Sequence, residues 1–145
     1  MNIEIITKVL ELDCYGFSGV VVNEDHAGTA FKLMDKMWQI VKSNGLKNKG
    51  RNIWIYEQDN AVFAAVELND APKPDIILEH KSLQLTKYAY YKHIGPYNLL
   101  KQVGQAMNHE IKKQGFEVTL PYVEIYGHWT NDKSKLETEL FMCLK

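Results

Sequence analysis

Apolar positions along the chain follow two different spacings, one typical of helices and one typical of strands. Intervals of three and four residues, which place side chains on one face of a helix, occur in two stretches. Their apolar positions are Ala30, Phe31, Met34, Met37, Trp38 and Val41 in the first stretch, and Leu99, Leu100, Val103, Ala106, Met107 and Ile111 in the second. The sequence therefore predicts two amphipathic helices.

Residues that commonly begin and end helices stand at the borders of both stretches. Asn23 or Asp25 can cap the first helix, and Gly45 can end it because glycine readily adopts the left-handed conformation. Pro96 suits the first turn of the second helix, and Gly115 can end that helix in the same way as Gly45.

Segments rich in β-branched and aromatic residues flank both predicted helices, as expected of strands. They comprise residues 3–22, 52–56 and 62–68 around the first helix, and residues 83–93, 122–128 and 136–144 around the second. Residues 70–75 contain two prolines, which interrupt strand pairing, so this segment is predicted to be a linker. Two β-α-β-β modules result, one of about residues 1–70 and one of about residues 76–145.

The two modules repeat each other at a fixed offset. Tyr126 lies 70 positions after Tyr56, and Gly115 lies 70 positions after Gly45. Two copies are too few for a stacked repeat array, and each copy alone is too small to bury a secure core. We therefore predict one α+β domain over residues 1–145, in which two pseudo-symmetric modules with antiparallel sheets and two long helices enclose a cleft.

The alternation of side chains along a strand singles out one carboxylate with aromatic neighbours. Successive residues of a strand face opposite sides of the sheet. Val123 and Ile125 are expected to pack on the helix, which sends Tyr122, Glu124 and Tyr126 to the other side.

The first module repeats this alternation with a different central residue. Ile53 and Ile55 are expected to face the helix, while Trp54 and Tyr56 face the other side. The offset of 70 positions makes Trp54 the counterpart of Glu124. If the modules pair about a pseudo-twofold axis, these faces line one groove that holds a carboxylate and several aromatic rings.

A groove of this composition can bind an aromatic cation. A carboxylate desolvated by aromatic walls is costly when unpaired, so an entering cation relieves that cost. The rings add cation–π attraction of about 0.5–2 kcal/mol each. The alternative is that Glu124 is an exposed strand residue and that the tyrosines are half-buried.

Three further residues have two interpretations each. Trp38 lies on the apolar stripe of the first helix, which favours core packing over ligand contact. Trp129 follows the Glu124 strand and is either a rim residue of the groove or a turn residue. His93 precedes Gly95-Pro96, where satisfying backbone groups near the helix start is favoured over a functional role.

Three sequence segments resemble the GyrI-like family, which includes the effector-binding domains of some AraC- and MerR-type regulators. The segment from Tyr90 to Tyr97 resembles the start of the second helix in that family. The segment from Leu120 to Tyr126 resembles its proline–x–x–glutamate–isoleucine–tyrosine strand, and the segment from Leu136 to Leu140 resembles its closing strand. The resemblance is clearest from about Tyr88 onward.

This resemblance implies two SHS2-type modules with a ligand cleft at their junction and a cleft glutamate at Glu124. The expected function is a stand-alone protein that binds or sequesters aromatic, drug-like molecules, with Glu124, Tyr126, Tyr122, Trp54, Tyr56 and Trp129 as ligand-binding residues. Some family members hydrolyse cyclopropane-containing natural products, which leaves open a hydrolase in which Glu124 is the general base and Tyr126 the proton donor. A protein-interaction inhibitor is the third alternative, and haem binding is disfavoured because no histidine is placed as an axial ligand.

Composition and charge exclude several other classes of protein. Seventeen basic and eighteen acidic side chains leave a formal net charge of -1, and no helix-turn-helix pattern appears, so direct DNA binding is not expected. No zinc-like spacing of histidine and cysteine occurs, and no cofactor or metal is expected. Cys14 and Cys143 are expected to be small buried side chains of a cytoplasmic protein, since no signal peptide or bilayer-spanning apolar run is present.

Overall fold

Eight antiparallel strands form a single sheet in the computed structural model, which describes all 145 residues. The strands are β1 (Glu4–Ile6), β2 (Leu10–Val20), β3 (Asn48–Glu57), β4 (Ala61–Leu68), β5 (Glu79–Leu85), β6 (Tyr88–Ile94), β7 (Val118–Tyr126) and β8 (Glu137–Leu144). The helices are α1 (His26–Ser43) and α2 (Leu100–Lys113), and a 3-10 turn (Tyr97–Leu99) precedes α2. The predicted α+β class with antiparallel strands and two long helices is confirmed.

Two predicted strands are each divided in the structure. The predicted strand 3–22 is β1 and β2, and the predicted strand 83–93 is β5 and β6. The division lets the two pieces join different parts of the sheet, because β1 pairs with β6 while β2 pairs with β4 and β5. The pairings β1–β6 and β2–β5 therefore cross the module boundary predicted near residue 70, and the division into modules stays a prediction.

The central strand pair relates the two halves of the chain by an approximate twofold axis. In the β3–β7 register Ile53 lies opposite Ile125, and Ile55 lies opposite Val123. Trp54 lies opposite Glu124, the residue 70 positions further along the chain. An axis through this pair therefore exchanges the equivalent positions of the two strands.

Both helices cover the same face of the sheet, one over each half. The buried α1 residues Met37 and Val41 pack against Phe17 of β2 and Val66 of β4. On the other half, Met107 and Ile111 of α2 pack against Leu140 and Met142 of β8, in a buried cluster that also includes Ala89 of β6. The central strands β3 and β7 run between the two helix-covered regions. Neither helix combines the length and the hydropathy needed to cross a bilayer.

No helix covers the opposite face of the sheet, where buried side chains form a core of their own. The predicted packing of the central aliphatic side chains on the helices was wrong. One cluster of twelve buried residues takes side chains from β2 through β8, and Ile6 of β1 packs against it. Ile53, Ile55, Val123 and Ile125 belong to this cluster instead of packing on the helices. Because strands from both ends of the sheet contribute to one cluster, the sheet curves around this face. Both cysteines are buried here as free thiols, and burial raises the pKa of Cys14 to about 12.

Asp25 caps α1, as one of the two sequence alternatives predicted. Its side chain accepts a hydrogen bond from the backbone N–H of Gly28, at 3.0 Å from Oδ1. Asp25→Ala should lower the free energy of unfolding by about 1 kcal/mol, because an N-terminal N–H of the helix loses its partner. Urea denaturation measures this loss, with Asp35→Ala on the exposed helix surface as the control. Equal stability of the two variants would show that the cap contributes nothing.

Candidate functional site

Glu124 is a buried carboxylate in the middle of β7. It is 8% exposed and lies on the same sheet face as its strand neighbours Tyr122 and Tyr126. The Tyr122 hydroxyl donates to Oε2 at 2.7 Å, and the Tyr126 hydroxyl donates to Oε1 at 2.8 Å. No lysine, arginine or histidine forms an ion pair with Glu124. Its partners are therefore neutral phenols.

Burial raises the pKa of Glu124, while hydrogen bonds from tyrosines oppose the rise by stabilising the carboxylate. A glutamate whose pKa is raised by folding favours the folded state below its ordinary pKa of 4.5. That contribution is lost as the pH rises through the raised pKa, because the buried carboxyl must then carry a charge. Burial and the nearby Glu124 charge also raise the pKa of Tyr122 and Tyr126, which keeps both hydroxyls protonated.

Aromatic rings surround the carboxylate on the β3 side. Trp54 lies directly opposite Glu124 in the sheet, and its ring centre is 4.8 Å from that of Tyr126. Tyr56 and Tyr122 are also opposite each other and stack, with ring centres 5.7 Å apart and planes at 20°. The structure therefore brings together five predicted site residues, and we call these five side chains the groove.

The groove lies between the two helices, not on the face opposite them. Trp54 packs against Ala30 of α1, and Tyr122 packs against the α2 cluster that contains Met107. The sequence analysis expected these five side chains on the face opposite the helices, whereas the structure places them on the face that the helices cover. Alternation alone cannot distinguish the two faces, because both are apolar in the central strands.

The sequence analysis did not assign three aromatic or imidazole side chains that lie at the groove. Phe31 of α1 meets Trp54 edge-on at 5.1 Å between ring centres, and Tyr97 meets Tyr126 edge-on at 5.4 Å. His26 lies 6.0 Å from Tyr56, measured between ring centres. Phe31 was assigned to the apolar stripe of the helix, yet it is 50% exposed at the groove side of α1. The position of Phe31 at the edge of the apolar stripe is the sequence feature that could have indicated its exposure at the groove.

The remaining candidates lie outside the groove. Trp129 is 71% exposed in the loop after β7, and its role at the rim stays a prediction. The Trp38 indole N–H donates to Asn52 Oδ1 at 2.6 Å while the ring packs beside the α1 core. His93 is buried with Nε2 3.1 Å from the carbonyl oxygen of Pro96. No group of three or more His, Cys, Asp or Glu side chains is arranged to hold a metal ion.

The raised pKa of Glu124 predicts how binding of a permanent cation depends on pH. Only the ionised carboxylate attracts a cation, so affinity should rise as the pH climbs through the raised pKa and fall below it. Titration with a permanently charged aromatic cation between pH 4 and 9 measures this, because the charge of such a probe does not change with pH. Affinity that stays constant from the ordinary pKa of glutamate to the top of this range would contradict the predicted dependence.

Comparison with known proteins identifies the fold. Neither a protein-family model nor a curated protein matches the chain. Among solved structures, the C-terminal domain of EcmrR superposes with a TM-score of 0.77 at 18% identity, over 100% of this chain and 99% of that chain. The protein has the GyrI-like fold. The family resemblance noted in the sequence is thus confirmed at the level of the fold.

Two further structures share the GyrI-like fold of this chain. SAV2435, solved bound to tetraphenylphosphonium, has a TM-score of 0.66 at 19% identity, over 100% of this chain and 94% of that chain. A hydrolase from Listeria innocua has a TM-score of 0.60 at 12% identity, over 99% of this chain and 91% of that chain. At these identities the likeness concerns the GyrI-like fold alone.

Proposed function

We propose that the groove binds aromatic cations and that the protein acts as a receptor or sequestering protein for such molecules. The observation that carries this proposal is the buried Glu124 carboxylate, which has tyrosine partners but no cationic one. An isolated buried carboxylate is costly, and a bound cation removes much of that cost. Binding of a positive charge beside Glu124 is therefore expected to lower the free energy of the protein.

The aromatic walls favour a flat or multi-ring cation over a small hydrated one. Trp54, Tyr56, Tyr122 and Tyr126 together present indole and phenol faces beside the carboxylate. Each ring that meets a desolvated cation contributes about 0.5–2 kcal/mol. A strongly hydrated metal ion would lose its water and gain few oxygen ligands in return, because Glu124 is the one carboxylate among the aromatic side chains of the groove.

The rings of the groove contact one another, so a ligand must separate some of them to reach Glu124. The stacked pair of Tyr56 and Tyr122 spans from β3 to β7 above the sheet. Phe31 lies at the α1 side with half of its surface exposed. Bound tetraphenylphosphonium in SAV2435, which shares the fold, supports a ligand of this class.

A matched pair of probes tests the proposal. Tetraphenylphosphonium and tetraphenylborate have nearly the same shape and opposite charges, so their difference in affinity isolates the sign of the charge. Calorimetric titration should show saturable binding of the phosphonium and at least tenfold weaker binding of the borate, which is about 1.4 kcal/mol. Equal binding of both probes, or of neither, would refute a cation site.

A hydrolase is the second candidate, supported by the Listeria innocua hydrolase of the same fold and by the Glu124–Tyr126 hydrogen bond. Glu124 would take a proton from water, whose oxygen attacks a strained ring carbon. The ring bond breaks, its electron pair moves to a conjugated carbonyl, and the Tyr126 hydroxyl protonates that oxygen. The proton that Glu124 took from water then passes to Tyr126 along their 2.8 Å hydrogen bond, which restores both side chains. Mass spectrometry of a cyclopropane electrophile after incubation would show a product heavier by one water, and folded Glu124→Gln should form none.

A further inference from the structure

A second concave site lies on the helix-free face of the sheet. It is a cavity of about 250 Å³ where the two ends of the curved sheet approach each other. Its apolar lining includes Ile6 of β1, Leu12 of β2 and Phe141 of β8. Tyr88 and Tyr90 of β6 also belong to this lining, with ring centres 5.7 Å and 5.2 Å from that of Phe141.

The polar side of the cavity is dominated by carboxylates. Glu4, Glu11, Glu67 and Glu139 line it, and Arg51 is the one basic side chain among the lining residues. The Glu11 side chain points away from the cavity, because its strand neighbours Leu10 and Leu12 face the cavity core and because the Gln84 side chain donates to Glu11 Oε1 at 3.0 Å. Three carboxylates and one guanidinium then leave an excess of negative charge beside an apolar surface. Glu4 is exposed at the rim and forms no ion pair, so it can meet an incoming molecule.

Arg51 is already neutralised by the protein. Its guanidinium lies 2.6 Å from Glu67 and 3.7 Å from Glu139, which are on different halves of the sheet. Glu139 also accepts a hydrogen bond from the Tyr90 hydroxyl at 2.6 Å. An anionic ligand would have to displace these carboxylates from Arg51, so the cavity disfavours anions.

We propose that this cavity is a second ligand site, which takes a small amphipathic ammonium compound. The apolar body would lie against Leu12, Tyr88 and Phe141, and the ammonium group would lie at the rim beside Glu4. This cavity is smaller than the roughly 300–1,000 Å³ of drug-sized pockets, which favours a compact amine with a single ring.

The second site is independent of the groove around Glu124. The groove lies on the helix-covered face, and the cavity lies on the opposite face, with the sheet between them. Ile125 of β7 lines the cavity, while its neighbours Glu124 and Tyr126 face the groove. The two sites therefore select different cations, a broad aromatic one in the groove and a compact amine in the cavity.

Three probes that share a phenyl ring on a two-carbon chain and differ in charge test the proposal: 2-phenylethylammonium, 2-phenylethanol and 3-phenylpropionate. Their binding is followed by ¹H–¹⁵N NMR titration of the full chain at low salt. The ammonium probe should give saturable shifts of amides in β1, β2 and β6, at least fivefold tighter binding than the alcohol, and no measurable binding of the propionate. Shifts confined to the groove, or equal binding of the three probes, would overturn the proposal.

Two variants separate the role of charge from that of shape. Glu4→Gln should weaken binding of the ammonium probe by about threefold, as expected for an exposed carboxylate. Glu117→Gln removes one negative charge at a residue that does not line the cavity and should leave binding unchanged. Leu10→Phe narrows the cavity and should abolish binding while the amide spectrum stays folded. Equal effects of Glu4→Gln and Glu117→Gln would show that only the overall charge of the protein matters, and this result would refute the site.

Discussion

Glu124→Gln should weaken tetraphenylphosphonium binding by about 10- to 100-fold, which corresponds to roughly 1.4–2.7 kcal/mol. Glutamine keeps nearly the same volume and still accepts one hydrogen bond, but it has no charge to attract the cation. The hydroxyls of Tyr122 and Tyr126, which donate to the two carboxylate oxygens, would lose part of their bonding as well. Calorimetry or quenching of tryptophan fluorescence measures the change.

Glu139→Gln is a matched control for that experiment. Glu139 also lies on a strand and accepts a hydrogen bond from a tyrosine, since the Tyr90 hydroxyl is 2.6 Å away. It belongs to the helix-free face and has Arg51 beside it, so its loss should change phosphonium affinity less than twofold. If both variants weaken binding equally, the effect comes from overall charge and the groove is not the site.

Ile53→Ala should lower the free energy of unfolding by about 3–4 kcal/mol, because it leaves a void in a fully buried cluster. Ile53 has no exposed surface and belongs to the twelve-residue core of the helix-free face. A domain of this size is commonly stable by about 5–15 kcal/mol, so the variant should still fold. Urea denaturation should show a lower midpoint with an unchanged slope.

Ile77→Ala is the control for the core prediction, because Ile77 is 78% exposed. Its substitution should change stability by less than about 0.5 kcal/mol. A loss below about 1 kcal/mol in Ile53→Ala would mean that the helix-free face is loosely packed. That outcome would also weaken the second ligand site, whose apolar lining is part of the same cluster.

Much of the candidate site could be predicted from the sequence, because the alternation of side chains along a strand is a local property. Alternation placed Tyr122, Glu124 and Tyr126 on one face, and the offset of 70 positions paired Trp54 with Glu124. The helix spacing and the Asp25 cap were likewise encoded within a few neighbouring residues. Each of these features depends on backbone geometry alone.

The features that the sequence did not predict depend on long-range packing. Ile53 and Ile125 are apolar on one face and Trp54 and Tyr126 are aromatic on the other, so nothing local tells which face the helices cover. The break between β1 and β2 is equally non-local, because β1 joins β6 from the far half of the chain. Apart from the 70-position offset, the sequence patterns describe a single segment and do not identify the segment with which it pairs.

The approximate twofold axis between Trp54 and Glu124 has a consequence for how such a site can exist at all. An assembly of two identical half-length chains would carry the same residue on both sides of its axis, either two carboxylates that repel each other or two indoles without any charge. A single chain that contains both copies escapes this constraint, because each copy mutates separately. One acid beside one indole is therefore an arrangement open to a fused pair and closed to a homodimer.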